Sequence, residues 1–238
     1  MFDFTDQVAI VTGGAGNLGQ AVTRAFHAAG GRVAIVVQKR QDAIAAFGDD
    51  LPESDTCVYV AGDLTDEESV AGIARHVFDS FGRADILVNT AGGYRAGTPT
   101  HETPVDVWDF MMNLNARTTF LMSRAIIPRM IEQRHGRIIS LAARAALKGT
   151  AKHGAYNASK MVVIRLTETM AAELRNHGIT ANCILPGTID TPANRAETPE
   201  ADFSRWVSPE SMAQVILFLA SDLAADINGA AIPVYGRS

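Results

Sequence analysis

Val8-Ala9-Ile10-Val11-Thr12-Gly13-Gly14-Ala15-Gly16-Asn17-Leu18-Gly19 is an apolar run that breaks on glycines and resumes as a helical pattern. Val8 to Thr12 reads as a buried strand, and from residue 18 to 29 the apolar positions recur at the spacing of one helix face. The glycines between permit a tight turn and let backbone N–H groups at a helix start approach an anion such as a pyrophosphate. Such a turn alone is weak evidence of a ligand, because loops gather glycine for steric reasons. Its place between a strand and a helix gives it meaning, and makes Gly13, Gly16, Asn17, Leu18 and Gly19 candidate binding residues.

The same alternation runs outward to the end of the chain. Apolar strands are expected at 33–37, 57–61, 86–89, 137–141, 181–185 and 231–234, with helical patterns at 42–47, 66–81, 104–134, 156–176 and 209–221. Strands so separated by helices imply right-handed crossovers and a parallel sheet buried on both faces. The predicted fold is α/β, a doubly wound parallel seven-stranded sheet flanked by helices, in a single domain over residues 1–238. Residues 187–207 are the one long irregular stretch expected, and the part from about 188 to 207 lies where a lid would cover a site at the strand ends.

Composition narrows the function. The 238 residues carry 21 Lys+Arg against 26 Asp+Glu, a net charge of −5, with 47% apolar residues. That balance lacks the basic footprint of a nucleic-acid binder. The longest apolar runs fall far short of the roughly 20 residues of a membrane span. Asp3 and Asp6 stand where a secretory signal needs Lys or Arg, so no targeting segment is read and a cytoplasmic location is expected. Cys57 and Cys183 sit in strand-like runs as small core residues of a reducing compartment, and no cluster has metal-ligand spacing.

Further polar residues fall at the carboxyl ends of predicted strands. Asp63-Leu64 follows the third strand, and Asn89-Thr90-Ala91-Gly92 follows the fourth. Singly they read as a loop cap and a turn. Together they mark the line along which a dinucleotide would lie in a doubly wound sheet.

With Asn115, the Tyr156-Asn157-Ala158-Ser159-Lys160 segment and Pro186-Gly187 added, the chain resembles the short-chain dehydrogenase/reductase family over nearly its whole length. The resemblance implies a Rossmann-type fold and a nicotinamide cofactor held by the glycine turn, by Asp63, Leu64, Asn89, Ala91 and Gly92, and by Pro186, Gly187, Ile189 and Thr191. Asn17 stands where the family usually has glycine, and asparagine tolerates a left-handed backbone better than most residues. NAD enzymes usually place an acid after the second strand, whereas this chain reads Val37-Gln38-Lys39-Arg40. Lys39 and Arg40 are suited to pair with a 2′-phosphate, so NADP is the expected cofactor with NAD the alternative.

Tyr156 and Lys160 lie four positions apart, on one face of a helix. A phenol near its ordinary pKa of about 10 is a poor acid-base group at neutral pH, and an adjacent ammonium is expected to lower it. By resemblance Lys160 also holds the nicotinamide ribose, and Asn115 orders a proton-relay water through a helix distortion, with Asn113 the competing candidate. Where the family usually carries a serine, this chain has Ala143; Ser140 is expected on the opposite strand face.

Within the family the chain is similar to dihydropteridine reductase in lacking that serine, in Ala91-Gly92-Gly93-Tyr94 and in the 189–206 loop. The resemblance implies a conjugated substrate of quinonoid dihydropterin type that meets Tyr94; Ala143 and Trp206 are further candidate substrate contacts, and Trp206, with Phe203, reads either as lining the pocket or as anchoring the lid. An ordinary ketone or secondary alcohol, and a catalytically impaired cofactor-binding protein, are the alternatives. Tyr94 reads equally as a loop aromatic packed on the lid, and His153 receives no role. Relatives imply a homo-oligomer, a dimer or tetramer, built on the long helices from Pro104 and Tyr156.

Overall fold

The computed structural model describes residues 2–237. Strands β1 (Val8–Thr12), β2 (Arg32–Val37), β3 (Cys57–Ala61), β4 (Ile86–Asn89), β5 (Gly136–Leu141), β6 (Ile179–Pro186) and β7 (Ala231–Val234) form one sheet in the order β3-β2-β1-β4-β5-β6-β7. Every neighbouring pair is parallel. The helices are α1 (Asn17–Ala28), α2 (Arg40–Phe47), α3 (Glu67–Phe81), α4 (Val105–Met111), α5 (Thr118–Gln133), α6 (Gly154–Leu174), α7 (Pro192–Glu197) and α8 (Pro209–Ala220).

Alternation within β1 shows why the strands read as continuous apolar runs. Val8 and Ile10 join Ile73, Val77, Met122 and Met170, from α3, α5 and α6, on one face. Ala9 and Val11 join Val22, Phe26, Ile216 and Leu217, from α1 and α8, on the other. Each large side chain buried in these layers contributes roughly 1.5–3 kcal/mol, so both faces must be covered. Both cysteines are buried and free, in the core positions expected.

The chain begins in the middle of the sheet, winds outward through β2 and β3, and returns to place β4 on the other side of β1. Crossovers therefore leave in opposite directions at β1 and β4, which opens a crevice at their carboxyl ends. The glycine turn and residues 90–93 border it.

The helical pattern over 104–134 carries a distortion at Asn115, as the resemblance implied: between α4 and α5 the residues Met112–Arg117 form a π-helical turn. One expectation is corrected. Irregular backbone is more widespread than the one stretch at 187–207, which itself contains α7 and a 3₁₀ turn at Phe203–Arg205. Residues 90–104 and 142–153 are irregular too, with only short 3₁₀ turns at Thr100–Glu102 and Arg144–Leu147. Gly92, Gly93, Gly97, Pro99 and Pro104 interrupt regular structure in the first of these.

Candidate active site

A cleft of about 1000 Å³ opens at the crevice, and Gly13, Gly16, Asp63, Leu64, Ala91 and Gly92 line it. Gly13 takes a left-handed φ of 63°, and a Cβ there would lie 2.9 Å from the Ala91 backbone. At Gly19 a Cβ would sit 2.2 Å from the Gly13 carbonyl oxygen, so only glycine lets α1 start against the turn. No side chain caps the N-terminus of α1 and its first turn holds no acid. That bare, glycine-lined helix start fits a pyrophosphate. Asn17 is the first helical residue and is not among the positive-φ residues, so its tolerance of left-handed backbone is not used. Asp63 accepts from the Thr65 hydroxyl (2.7 Å) and N–H (2.8 Å), which hold its carboxyl below the usual range.

The π turn sets Asn115 in the interior against the Gly93 backbone. Thr118 and Thr119 donate their hydroxyls to the carbonyls of Leu114 (2.8 Å) and Asn115 (3.0 Å), occupying acceptors in the widened turn. Asn115 is fully buried; its Oδ1 accepts from Gly93 N–H (3.0 Å), and its Nδ2 donates to the Gly93 carbonyl (3.1 Å) and Ser159 Oγ (3.0 Å). One side chain thus ties the loop after β4 to α6. The competing Asn113 lines the cleft itself.

Tyr156 and Lys160 lie in the first turns of α6. Lys160 is 3% exposed, and its Nζ donates to the Leu141 carbonyl (2.8 Å). Burial lowers it from 10.5 to about 8. Burial, with a smaller contribution from Tyr94, pushes the Tyr156 phenol up to about 12. The expected lowering of Tyr156 by Lys160 is not met in this arrangement: burial and Tyr94 both raise the phenol, and the ammonium is turned to Leu141. At neutral pH Tyr156 holds its proton. In front of it stands Tyr94, whose ring meets that of Tyr156 edge to face, with centroids 4.9 Å apart at 82°. The Tyr94 hydroxyl is 2.9 Å from His153 Nε2. Ala143 is buried and extended, just before the 3₁₀ turn.

Comparison with known proteins matches this arrangement to one family. A model described as short chain dehydrogenase covers residues 7–202. The chain is 34% identical to the (2S)-[(R)-hydroxy(phenyl)methyl]succinyl-CoA dehydrogenase subunit BbsD of Thauera aromatica, covering 97% of this chain and 96% of the relative. It is 35% identical to D-threitol dehydrogenase of Mycolicibacterium smegmatis, covering 99% and 94%. The chain belongs to the short-chain dehydrogenase family. The crystal structure of levodione reductase superimposes with a TM-score of 0.90 at 28% identity, covering 98% of this chain and 97% of that one. As a short-chain dehydrogenase the chain is an NAD(P)-dependent oxidoreductase.

Several residues named from the short-chain dehydrogenase pattern do not line that cleft, Tyr94, Ala143, Tyr156 and Lys160 among them. Arg40 pairs with Glu53, donates to the Tyr59 carbonyl (3.3 Å) and lies over the Tyr59 ring, away from the cleft. Lys39 is exposed and does not line the cleft, whereas its neighbour Gln38 and Asp42 do. Asp42 accepts from the Lys39 N–H (3.2 Å) and so closes the start of α2. Asn89 is 2% exposed and faces the interior, donating to Ser123 (3.4 Å) and Ser140 (3.3 Å), so it braces the strand ends instead of lining the cleft. Thr191 caps α7 by accepting from Asn194 N–H (3.2 Å). Trp206 packs at a 55° tilt against Phe203 (centroids 4.8 Å apart) and does not line the cleft. Pro186 ends β6, Gly187 N–H donates to the Val234 carbonyl (3.0 Å), and Ile189 bridges to Val207.

Gln38, Asp42, Thr90 and Leu114 line the cleft without having been singled out. The position of Thr90 between Asn89 and Ala91 was the one available signal for it. His153 was given no role, although its distance of three residues from Tyr156 put it at the start of the same helix. Among the described residues no metal-binding cluster exists, and no helix is long and apolar enough to cross a membrane.

Proposed function

We propose that this short-chain dehydrogenase reduces a small, flat, conjugated substrate of quinonoid dihydropterin type. The observation that carries the reading is the methyl of Ala143, together with the Tyr94 ring set against Tyr156. Reducing a simple ketone concentrates charge on one oxygen, where a hydroxyl donor is worth roughly 10²- to 10³-fold in turnover. A conjugated ring spreads that charge, and a methyl suffices. A bound nicotinamide dinucleotide supplies the hydride. Tyr156, protonated at neutral pH, gives the proton a reduction consumes. Lys160 holds the ribose hydroxyls, Asn115 keeps the loop after β4 and α6 in register, and residues from about 188 to 207 cover the substrate. A second reading, reduction of an ordinary ketone or oxidation of a secondary alcohol, is favoured by relatives named as dehydrogenases of D-threitol and of galactitol at its 2-position.

NADP(H) remains the proposed cofactor on a narrower basis than the sequence offered. Val37, at the end of β2, is apolar and buried, so no carboxylate stands there. Lys39 is the cation left for a 2′-phosphate, since Arg40 is paired with Glu53. Oxidation of NADPH and NADH with a quinonoid dihydropterin and a panel of ketones tests both points. Ala143→Ser should raise the ketone-to-pterin ratio of kcat/KM by about tenfold or more. Lys39→Glu should move the cofactor ratio toward NADH by about tenfold, with Arg40→Ala near the parent. A parent enzyme that prefers ketones supports the second reading, and an NADH preference indifferent to Lys39 removes the case for NADP.

Assembly into a homo-oligomer is proposed on similar terms. Val105 is 74% exposed on α4, and Trp108 and Phe120 are exposed on the same helical run expected to pair chains. Light scattering should give a multiple of 25.4 kDa; a single-chain mass at micromolar concentration would count against it.

A further inference from the structure

We propose that His153 is a positioning residue that fixes Tyr94 as an aromatic wall across Tyr156 and so sets a preference for flat substrates. The proposal rests on the reading above that substrate lies beside Tyr156. Tyr94 belongs to a glycine-flanked loop and is 49% exposed, a setting in which an unheld ring would swing. Three contacts prevent that. Asn115 grips both polar groups of the Gly93 backbone, Gly97 N–H donates to the Lys152 carbonyl (2.9 Å), and the Tyr94 hydroxyl meets His153 Nε2 between those anchors (2.9 Å).

His153 is itself held. Its Nδ1 is 2.7 Å from the Ala151 carbonyl oxygen. A carbonyl only accepts, so Nδ1 carries the proton, and we assign Nε2 as the acceptor of the Tyr94 O–H. The preceding residue, Lys152, has a left-handed φ of 66° without being glycine. Backbone strain of this kind persists only where surrounding structure enforces it. Here the turn directs the Lys152 carbonyl at Gly97 and the next side chain at Tyr94, so two contacts clamp one loop to the other. With its proton engaged by His153, Tyr94 presents a ring and not a donor to the substrate. Another planar ring packs well on such a wall, and an acyclic chain gains little from it.

The test pairs a flat probe, 9,10-phenanthrenequinone, with an acyclic one, ethyl acetoacetate, under NADPH. His153→Ala should raise KM for the quinone about fivefold, with kcat held within about twofold and the acyclic probe less affected. His153→Gln, which restores an acceptor at the Nε2 position, should recover most of the loss. In a Tyr94→Phe background His153→Ala should add nothing, because the bond is already gone. Nitrogen-15 NMR of the imidazole, which needs no turnover, should show the Nδ1–H tautomer. An Nε2–H tautomer, or additive effects of the two substitutions, overturns the assignment of His153 whatever the substrate. A parent enzyme that reduces only the acyclic ester, with the Nδ1–H tautomer present, overturns the flat-substrate reading and the specificity half of this proposal, while supporting the clamp.

Discussion

Tyr156→Phe is expected to lower turnover by about 10²- to 10⁴-fold, or roughly 3–5 kcal/mol of barrier, while dinucleotide still binds. The substitution removes one hydroxyl and keeps the ring, so the packing against Tyr94 survives. Burial holds the phenol at about 12, which makes it a protonated group at any pH where the enzyme would be assayed. Proton delivery is then the step lost, and kcat should fall more than KM rises. Steady-state rates with fluorescence titration of NADPH separate the two. Turnover within a few-fold of the parent would mean that the proton comes from elsewhere. An unmodified chain that binds dinucleotide but turns over no substrate would favour the impaired binding protein.

Lys160→Met is expected to remove activity and yet raise stability. In the fold the ammonium binds its proton less tightly than in the unfolded chain, since burial takes it from 10.5 to about 8. Below pH 8 both states are protonated, and the fold carries the whole cost of the buried charge, on the order of 3 kcal/mol. Between about pH 8 and 10.5 the folded lysine sheds its proton while the unfolded one keeps it, so this cost fades as pH rises. The bond to the Leu141 carbonyl offsets about 1 kcal/mol. Thermal melts should therefore place Lys160→Met roughly 5 °C above the parent at pH 7, with the gap closing toward pH 10. Holding the ribose at the reacting ring is lost, and kcat/KM should fall by about tenfold to a hundredfold. A variant less stable than the parent at pH 7, or a gap independent of pH, would show that the site does not strain this lysine.

Both arguments concern a helix whose two candidate residues were legible in the sequence, and the reason is local. Tyr156 and Lys160 are one turn apart, so spacing alone places them together. The sheet was legible for a similar reason, because strands buried on both faces are written as uninterrupted apolar runs, and the glycine turn marks where the first of them ends. Other features depend on residues distant in the chain. Arg40 reads as a free cation until Glu53, 13 positions on, is brought beside it. Asn89 reads as a turn residue until Ser140 meets it across the sheet. Tyr94 and His153 are 59 positions apart, and only the meeting of two irregular loops joins them. Only the lowering by Lys160 was read at Tyr156; the burial that raises the phenol instead is something spacing does not report.

The π turn at Met112–Arg117 has a consequence for how the site is encoded. An α-helix advances about 100° per residue, so a turn that accommodates one extra residue shifts the phase of all that follows by that angle. Asn115 reaches Gly93 and Ser159 from inside this shifted turn, while Met122 and Ile126 beyond it still face the core. The bridge between the loop after β4 and α6 is therefore specified by a count of residues as well as by their kinds. Insertions and deletions are usually tolerated at surface loops and refused in helices; in this helix the length itself carries information that no single side chain holds.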